Sequence, residues 1–490
     1  MNRKFRSVNA VVYGTALALL GGCMVGPNYV RPPAPTAAAF KEAGDWKPAQ
    51  PSDAVVRGKW WEMFGDAKLN ALVEQVNISN QNVHVAEATL RQAEALVEQS
   101  RAGLWPTLGV SATATRSRAP NVTGGAGNTN NTPVNVFNLP LTASWAPDLW
   151  GSVRRTIESN VANAQASAAN VANARLLAQA QLTTNYFQLR VIDEQRALLD
   201  TSVAAYQKSL ELTRNRYNGG VAARVDVVQA ETQLKSTQAQ AINLGVQRAQ
   251  LEHAIAILTG KPPAEFAIER EKQAMTIPAI PVGLPSQLLE RRPDIAGAER
   301  KMAAANAQIG VATAAYFPSL TLTATDGYRA NSPPNWLTAP SRFWSVGPAL
   351  AETLFDGGIR RAVKLQAQAV YDVNVATYRQ TVLTAFQQVE DTLAALRILE
   401  EQNRAQDEAV KAARQSTELT VNQYKGGTVS YLNVVTVQAT QLSNEANAVN
   451  VMGQRLVAAV ALVQALGGGW SGSQGDAAER RSEAASPKRN

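Results

Sequence analysis

The chain has 490 residues, 45% of them hydrophobic and 18% charged, with a net charge of +8, two histidines and a single cysteine. A chain this long can bury large cores, but one thiol rules out an internal disulfide, so packing must hold the fold together. The basic residues are interspersed with acids along helix-like segments rather than clustered with aromatic platforms, which argues against nucleic-acid binding.

The first element is a leader. Arg3, Lys4 and Arg6 form a basic region, Val11 to Leu20 an apolar run, and Leu20-Gly21-Gly22 a small-residue cleavage site. An apolar run of about ten residues is too short to span a bilayer, which takes roughly twenty. The sequence therefore predicts a signal peptide over 1–22 and a mature chain beginning at Cys23. Leu-Gly-Gly-Cys resembles the bacterial lipobox, which implies acylation of Cys23. Met24 stands where inner-membrane lipoproteins commonly carry aspartate, so the outer membrane is the expected address. Removing the leader lowers the net charge to +5. No other apolar stretch approaches the length of a spanning helix, whereas the strands of a membrane barrel would barely register in hydropathy.

A lipid-anchored segment over 23–65 precedes the first of two repeats, expected over 66–260. After an opening helix, Pro106 starts a strand over about 106–118. Leu108, Val110, Ala112 and Ala114 alternate there with Thr107, Ser111, Thr113 and Thr115. The polar, turn-rich "APNVTGGAGNTNNTP" follows, then a second strand over about 134–147 with Phe137, Leu139, Leu141, Ala143 and Trp145 on its apolar face. Such alternation suits an ordinary half-buried sheet or a membrane barrel; the lipobox and the helices that follow favour the barrel.

No proline occurs from Asp148 to Lys261, and apolar residues recur there at three- and four-residue steps. Val161, Ala164, Ala168 and Val171 are examples, as are Leu199, Val203, Tyr206 and Leu210. Proline costs a helix interior about 3 kcal/mol, so this stretch can carry a very long helix. The pattern predicts a coiled-coil hairpin over about 153–259 whose first arm runs ~96 Å. A linker is expected over 261–285, and a second repeat over 286–466. Pro285-Ser286 and Pro293-Asp294 read as helix starts.

The second repeat copies the first. "LTRNRYNGGVAARVDVV" (212–228) matches "LTVNQYKGGTVSYLNVV" (419–435), and "GSVRR" (151–155) matches "GGIRR" (357–361). "LWPTLGVSATAT" (104–115) matches "YFPSLTLTATDG" (316–327). Strands are thus expected over about 318–330 and 341–354, the first with Leu320, Leu322 and Ala324 facing one way. A hairpin over about 358–466 follows, striped by Tyr371, Val375, Tyr378, Val382, Ala385 and Val389. The polar tail, 467–490, is expected to be disordered. Four strands cannot close a barrel, since closed ones have at least eight, so the open edges call for further copies. Two copies would supply eight strands and three would supply twelve.

"CMVGPNYVRPPAP" after the lipobox, "WWEMFGDAKLNALVEQ" (60–75) and "LPSQLLERRPDIAGAERKMAAANAQIGVATAAYFPSLTLTA" (284–324) resemble the TolC-like outer-membrane efflux superfamily, in its NodT/OprM-type lipoprotein branch. With the Gly-Gly hairpins, the resemblance covers nearly the whole mature chain. It implies a mainly α fold with a β-barrel part: a homotrimer with a twelve-stranded barrel in the outer membrane, continuous with a twelve-helix periplasmic tunnel. It also implies an inner-membrane pump of RND type and a periplasmic adaptor, or membrane fusion protein. The chain would then be a passive exit duct for small molecules.

Residue roles follow from the same resemblance. The turns at Asn218, Gly219, Gly220 and at Lys425, Gly426, Gly427 would form the periplasmic tip that meets the adaptor. Asn433 and Thr436 stand where family members commonly place aspartates lining the closed aperture, so an anionic ring is in doubt. Tyr431 and Leu432 are candidates for an apolar constriction. Asp226, the first-half counterpart of Asn433, reads as a partner of its own helix dipole. The Arg291-Arg292 pair before Pro293 suggests either an anion site or, the favoured reading, salt-bridged packing at the waist. His84 and His253 are isolated on helical segments, and no nucleophile, metal or phosphate motif accompanies them. No catalysis, cofactor or metal is expected. The competing reading is a lipid-anchored periplasmic coiled-coil scaffold without transport activity, which explains the helices but not the paired strands.

Overall fold

A computed structural model describes residues 24–34, 39–43, 59–118, 132–271, 276–278, 280 and 292–468. The leader, Cys23, Pro285-Ser286 and the tail from 469 onward lie outside the described residues. The helices are α1 (Ala67–Ser79), α2 (Gln81–Ala102), α3 (Ser152–Asn218), α4 (Arg224–Leu258), α5 (Pro293–Ala314), α6 (Ile359–Lys425) and α7 (Tyr431–Ala465). The strands are β1 (Thr107–Val110), β2 (Thr113–Ser117), β3 (Val134–Trp145), β4 (Ser319–Ala330) and β5 (Arg342–Ala351).

The duplication is metrical. α3 and α6 each have 67 residues, α4 and α7 each 35, and α2 and α5 each 22. At 1.5 Å per residue the two longest helices each extend about 100 Å. Both start the same way: the Asp148 carboxylate accepts from the Val153 and Arg154 N–H groups, and that of Asp356 from Gly358 and Arg360. Arg154 and Arg360 then fold back onto those carboxylates, at 3.2 and 2.7 Å. The Arg360 guanidinium holds the Asp356 carboxyl below the usual carboxylate range.

Two compact units share the chain, one from stretches 1–32, 91–166 and 299–377, the other from the remaining stretches. The first contains the sheet, an antiparallel meander in the order β1/β2, β3, β4, β5. β1 and β2 pair with β3 in one continuous register, Val110 opposite Leu141 and Thr113 opposite Asn138. They are one strand, interrupted where Ser111 donates to the Pro140 carbonyl and Pro140 has no N–H to return. The sheet therefore has four strands in the geometrical sense.

In the second unit the core forms around Trp60, Trp61 and Phe64, with Leu69, Leu182, Tyr186, Leu189, Val389, Leu393, Leu456 and Val460. Trp60 Nε1 donates to Gln179 Oε1 at 3.2 Å, and Asp66 caps α1 by accepting from the Lys68 and Leu69 N–H groups. In α6 the expected stripe members Tyr378, Val382, Ala385 and Val389 are fully buried, but Tyr371 and Val375 only partly. In α3 the expected members Val171, Tyr206 and Leu210 are buried, while Val161, Ala164, Ala168, Leu199 and Val203 are half-buried and Ala162, Ala166 and Ala169 are buried beside them. Alanine-rich helices present similar small residues on adjacent stripes, so their periodicity does not single out one face. α7, contrary to the hydropathy reading, has the length and composition of a membrane span. Its Val451, Leu456, Ala459, Val460, Leu462 and Val463 are buried in the protein, as in a core helix.

Candidate functional site

The two long hairpins turn on double glycines. In the first, the Val221 N–H donates to the Arg216 carbonyl (2.8 Å) and the Gly220 N–H to that of Tyr217 (2.9 Å). In the second, Thr428 donates to Gln423 and Gly427 to Tyr424, both at 3.0 Å. Gly220 and Gly427 have φ of +73° and +79°, so each helix closes in a Schellman motif with a left-handed residue just past its end. Asn218, Gly219, Lys425 and Gly426 are exposed around the turns.

Beneath them Tyr206, Leu210, Ala230, Leu234, Tyr424, Tyr431 and Val434 form a small core shared by all four hairpin arms. The Tyr206 hydroxyl donates to the Gln438 carbonyl (3.2 Å), and the Tyr431 hydroxyl lies 3.1 Å from Ser209 Oγ. Arg216 ties the first turn to the second: its Nη1 donates to the Lys425 carbonyl (3.1 Å) and its guanidinium lies 4.8 Å from the Tyr424 ring centre. Burial pushes the Tyr206 and Tyr431 phenols above their ordinary pKa.

Tyr431 is thus misplaced as a constriction residue. It is 1% exposed and packs edge-to-face on Tyr424 at 5.3 Å, inside the hairpin pair. Leu432, by contrast, is 55% exposed, and Asn433 and Thr436 are exposed on the same face of α7. Thr436 Oγ1 donates only to its own helix, at the Leu432 carbonyl (2.9 Å). Asp226 stands in the first turn of α4. Arg292 is buried and fully engaged, through Asp294 at 2.7 Å, Gln388 at 2.8 Å and the Ala465 carbonyl at 3.1 Å. His84 lies 3.4 Å from Glu87, and among the described residues no three His, Cys, Asp or Glu gather as a metal site.

In the sheet, one face carries Leu108, Val110, Leu139, Leu141, Trp145, Leu322, Trp344, Val346 and Leu350, aligned across the strands by register. Leu108, Val110, Leu141, Trp344, Val346 and Leu350 remain exposed. The other face carries Thr107, Thr113, Thr142, Ser144, Thr323 and Thr325. β1/β2 and β5 form the two edges, each with one side unpaired among the described residues.

Sequence reasoning did not find the clasp on the N-terminal strap. Met24–Arg31 lies along α3 and α5 within the first unit, with the Val25 N–H donating to the Trp150 carbonyl at 3.2 Å. Arg155, 1% exposed, donates to the carbonyls of Val25 and Gly26 (both 3.2 Å) and to Asn28 Oδ1 (2.9 Å). Gly26 lies so close to the Gly310 backbone that a Cβ there would come within 2.5 Å of its Cα. Further along, Asn306 donates to the Pro27 carbonyl and the Tyr29 hydroxyl to Glu299. The strap leads from residue 24 to Trp150, whose ring stacks on Phe317 at 4.6 Å near the helix end of the sheet. The sequence signals were "GSVRR", read as a repeat match, and "VGPNY", read as part of the family resemblance, with nothing to pair the two.

Residues 72–261 and 284–468 match the family described as outer membrane efflux protein. Among curated proteins, the probable efflux pump outer membrane protein TtgC of Pseudomonas putida is 31% identical over 466 residues, covering 95% of this chain and 96% of that one. The pyoverdine export outer membrane protein OpmQ of Pseudomonas aeruginosa is 30% identical over 460 residues, covering 93% and 97%. Among solved structures, the outer-membrane channel OprN superposes with a TM-score of 0.85 at 30% identity, over 91% of this chain and 100% of that one.

Proposed function

The chain belongs to the outer membrane efflux protein family, and on that premise we propose that three copies assemble into the exit duct of a tripartite pump. The carrying observation is the four-stranded meander with two unpaired edges and an exposed apolar face. Three copies supply twelve strands. At about 4.8 Å between strands and about 45° tilt, such a barrel has a backbone diameter of about 26 Å. The four hairpin arms of each copy supply twelve helices. A ring of twelve at about 10 Å spacing has a diameter of about 38 Å, which leaves about 28 Å inside once helix thickness is removed. Each ring is thus wide enough to enclose a water-filled passage.

In this reading the leader 1–22 is removed and Cys23 carries the lipid. The turns at Asn218–Gly220 and Lys425–Gly427 receive a periplasmic adaptor that couples the duct to an inner-membrane pump of RND type. Leu432, Asn433 and Thr436 face the axis as a narrow neutral ring, without the field that concentrates one sign of ion. The protein acts as a passive conduit, and the pump selects the cargo.

Native mass spectrometry in detergent, followed by planar-bilayer recording of the same sample, tests this. A trimer that conducts is the expected result. A well-behaved folded monomer would sink the split-barrel reading, and a trimer without conductance would favour the scaffold.

A further inference from the structure

The loop end of the sheet carries an unusual charge pattern. Along the stretches 105–147 and 315–351 the charged residues are Arg116, Arg118, Asp326, Arg329 and Arg342, four cations and one anion. All stand toward the loop ends of their strands, and the connecting stretches 119–133 and 331–341 contain no charged residue. The helix end differs: there Asp148, Glu352 and Asp356 mix with Arg154 and Arg360.

Two of these arginines share the apolar face. In β2 the alternation that presents Ala114 also presents Arg116, and in β5 the one that presents Trp344 and Val346 also presents Arg342. Arg116 lies nine residues beyond Thr107, the helix-end residue of its edge strand, and Arg342 lies nine before Ala351 in the other. Nine residues at about 3.3 Å, tilted about 45°, rise about 21 Å, close to the height of a barrel's apolar band. Arginine is costly on the lipid face at mid-bilayer and nearly free at the interface, so both side chains belong at the outer boundary. Trp344, 73% exposed, stands beside them as an interfacial aromatic.

We propose that Arg116 of one copy and Arg342 of the next form a binding site for the phosphate groups of outer-leaflet lipopolysaccharide. The assignment rests on the barrel reading above, because β2 and β5 lie at opposite edges of the sheet and meet only between copies. Asp326 holds Arg342 through two bonds, Nε at 3.0 Å and Nη2 at 3.1 Å. This fixes the guanidinium plane and leaves Nη1 free of any bond among the described residues, on a side chain 60% exposed. Arg116 is exposed. A fixed guanidinium fork beside a second arginine matches the two-pronged geometry by which phosphate oxygens are bound. The charge asymmetry of the two sheet ends matches the asymmetry of the membrane, whose outer leaflet carries the phosphorylated lipid.

The test is a titration of the full-length detergent-solubilised protein with diphosphorylated lipid A, followed by native mass spectrometry. The same lipid stripped of phosphate is the control, and Arg116→Gln/Arg342→Gln the variant. The wild-type trimer is expected to bind the phosphorylated lipid at least tenfold more tightly than the stripped lipid. The variant, still a trimer with an unchanged unfolding temperature, is expected to lose that preference. Equal affinity of variant and wild type, or no preference for phosphate, would overturn the site. Wild-type protein that runs as a monomer in the same spectra would overturn the barrel reading beneath it, a separate and visible failure. If the double variant does not assemble, Arg116→Gln alone carries the same comparison, and an undiminished preference there refutes the proposal.

Discussion

Replacing Arg155 with alanine removes a buried guanidinium that gives three of its hydrogen bonds to the strap: the Val25 carbonyl, the Gly26 carbonyl and Asn28 Oδ1. Hydrogen bonds to a charged group contribute about 1.5–3 kcal/mol each, and breaking a buried charge network costs about 3–5 kcal/mol. Its fourth partner, Glu158, is partly exposed and can be rehydrated, so the lower end applies. A loss of about 3 kcal/mol raises the opening equilibrium of the strap by roughly 150-fold. The reporter is the Val25 amide, bonded to the Trp150 carbonyl, in hydrogen exchange read by mass spectrometry. The peptide over 24–31 should exchange about a hundredfold faster in Arg155→Ala, while β3 and β4 keep their protection. Arg155→Lys keeps the charge but not the fork and should fall between. Gly26→Ala should release the strap as well, since φ of +94° and the Gly310 backbone both oppose a side chain. Unchanged strap exchange in Arg155→Ala, or loss of protection in strap and sheet together, would refute the idea of a local clasp.

Intact-mass measurement should show a chain that starts at Cys23 and carries a diacylglycerol and an acyl chain; an unmodified thiol there would contradict the lipid anchor. Leu432→Ala should raise resting conductance with little change in unfolding temperature, because Leu432 is exposed in the protomer. Tyr431→Ala, in the tip core, should instead destabilise by about 3–5 kcal/mol, the range of a large core truncation. Thr436→Asp should raise cation selectivity in bilayer recordings; no change would mean that this face lies off the conducting path. Buried Tyr206 and Tyr431 have raised pKa values, so their contribution to stability is complete below about pH 10, where unfolded tyrosine begins to ionise. That contribution is lost as the pH rises through the native values. Alkaline titration followed by tip-specific hydrogen exchange checks this, and Tyr206→Phe should flatten the response.

Much of the architecture was legible because it follows from local rules. The absence of proline from Asp148 to Lys261 permits α3 and α4, and the Gly-Gly pairs end the long arms because only glycine takes the left-handed position cheaply. Period-two alternation marked the apolar faces of β3 and β4, and register later joined them into one surface. The site was less legible. Tyr431 and Leu432 are adjacent and both apolar, and sequence cannot say which turns toward the neighbouring hairpin. That depends on where Tyr206, Ser209 and Tyr424 stand, in segments up to 225 residues away.

The repeat motif "RR" shows where the two sources of information part. The sequence determined that Arg154-Arg155 and Arg360-Arg361 begin equivalent helices, since an aspartate a few residues upstream caps each start. It could not distinguish Arg155 from Arg361, whose local surroundings are duplicates. Arg155 is buried under the strap, while Arg361 is exposed. Duplication copied the helices, strands and turns, each specified by neighbours within a few residues. The chain has only one N-terminus, and only the tertiary structure decided which of the two arginines it covers.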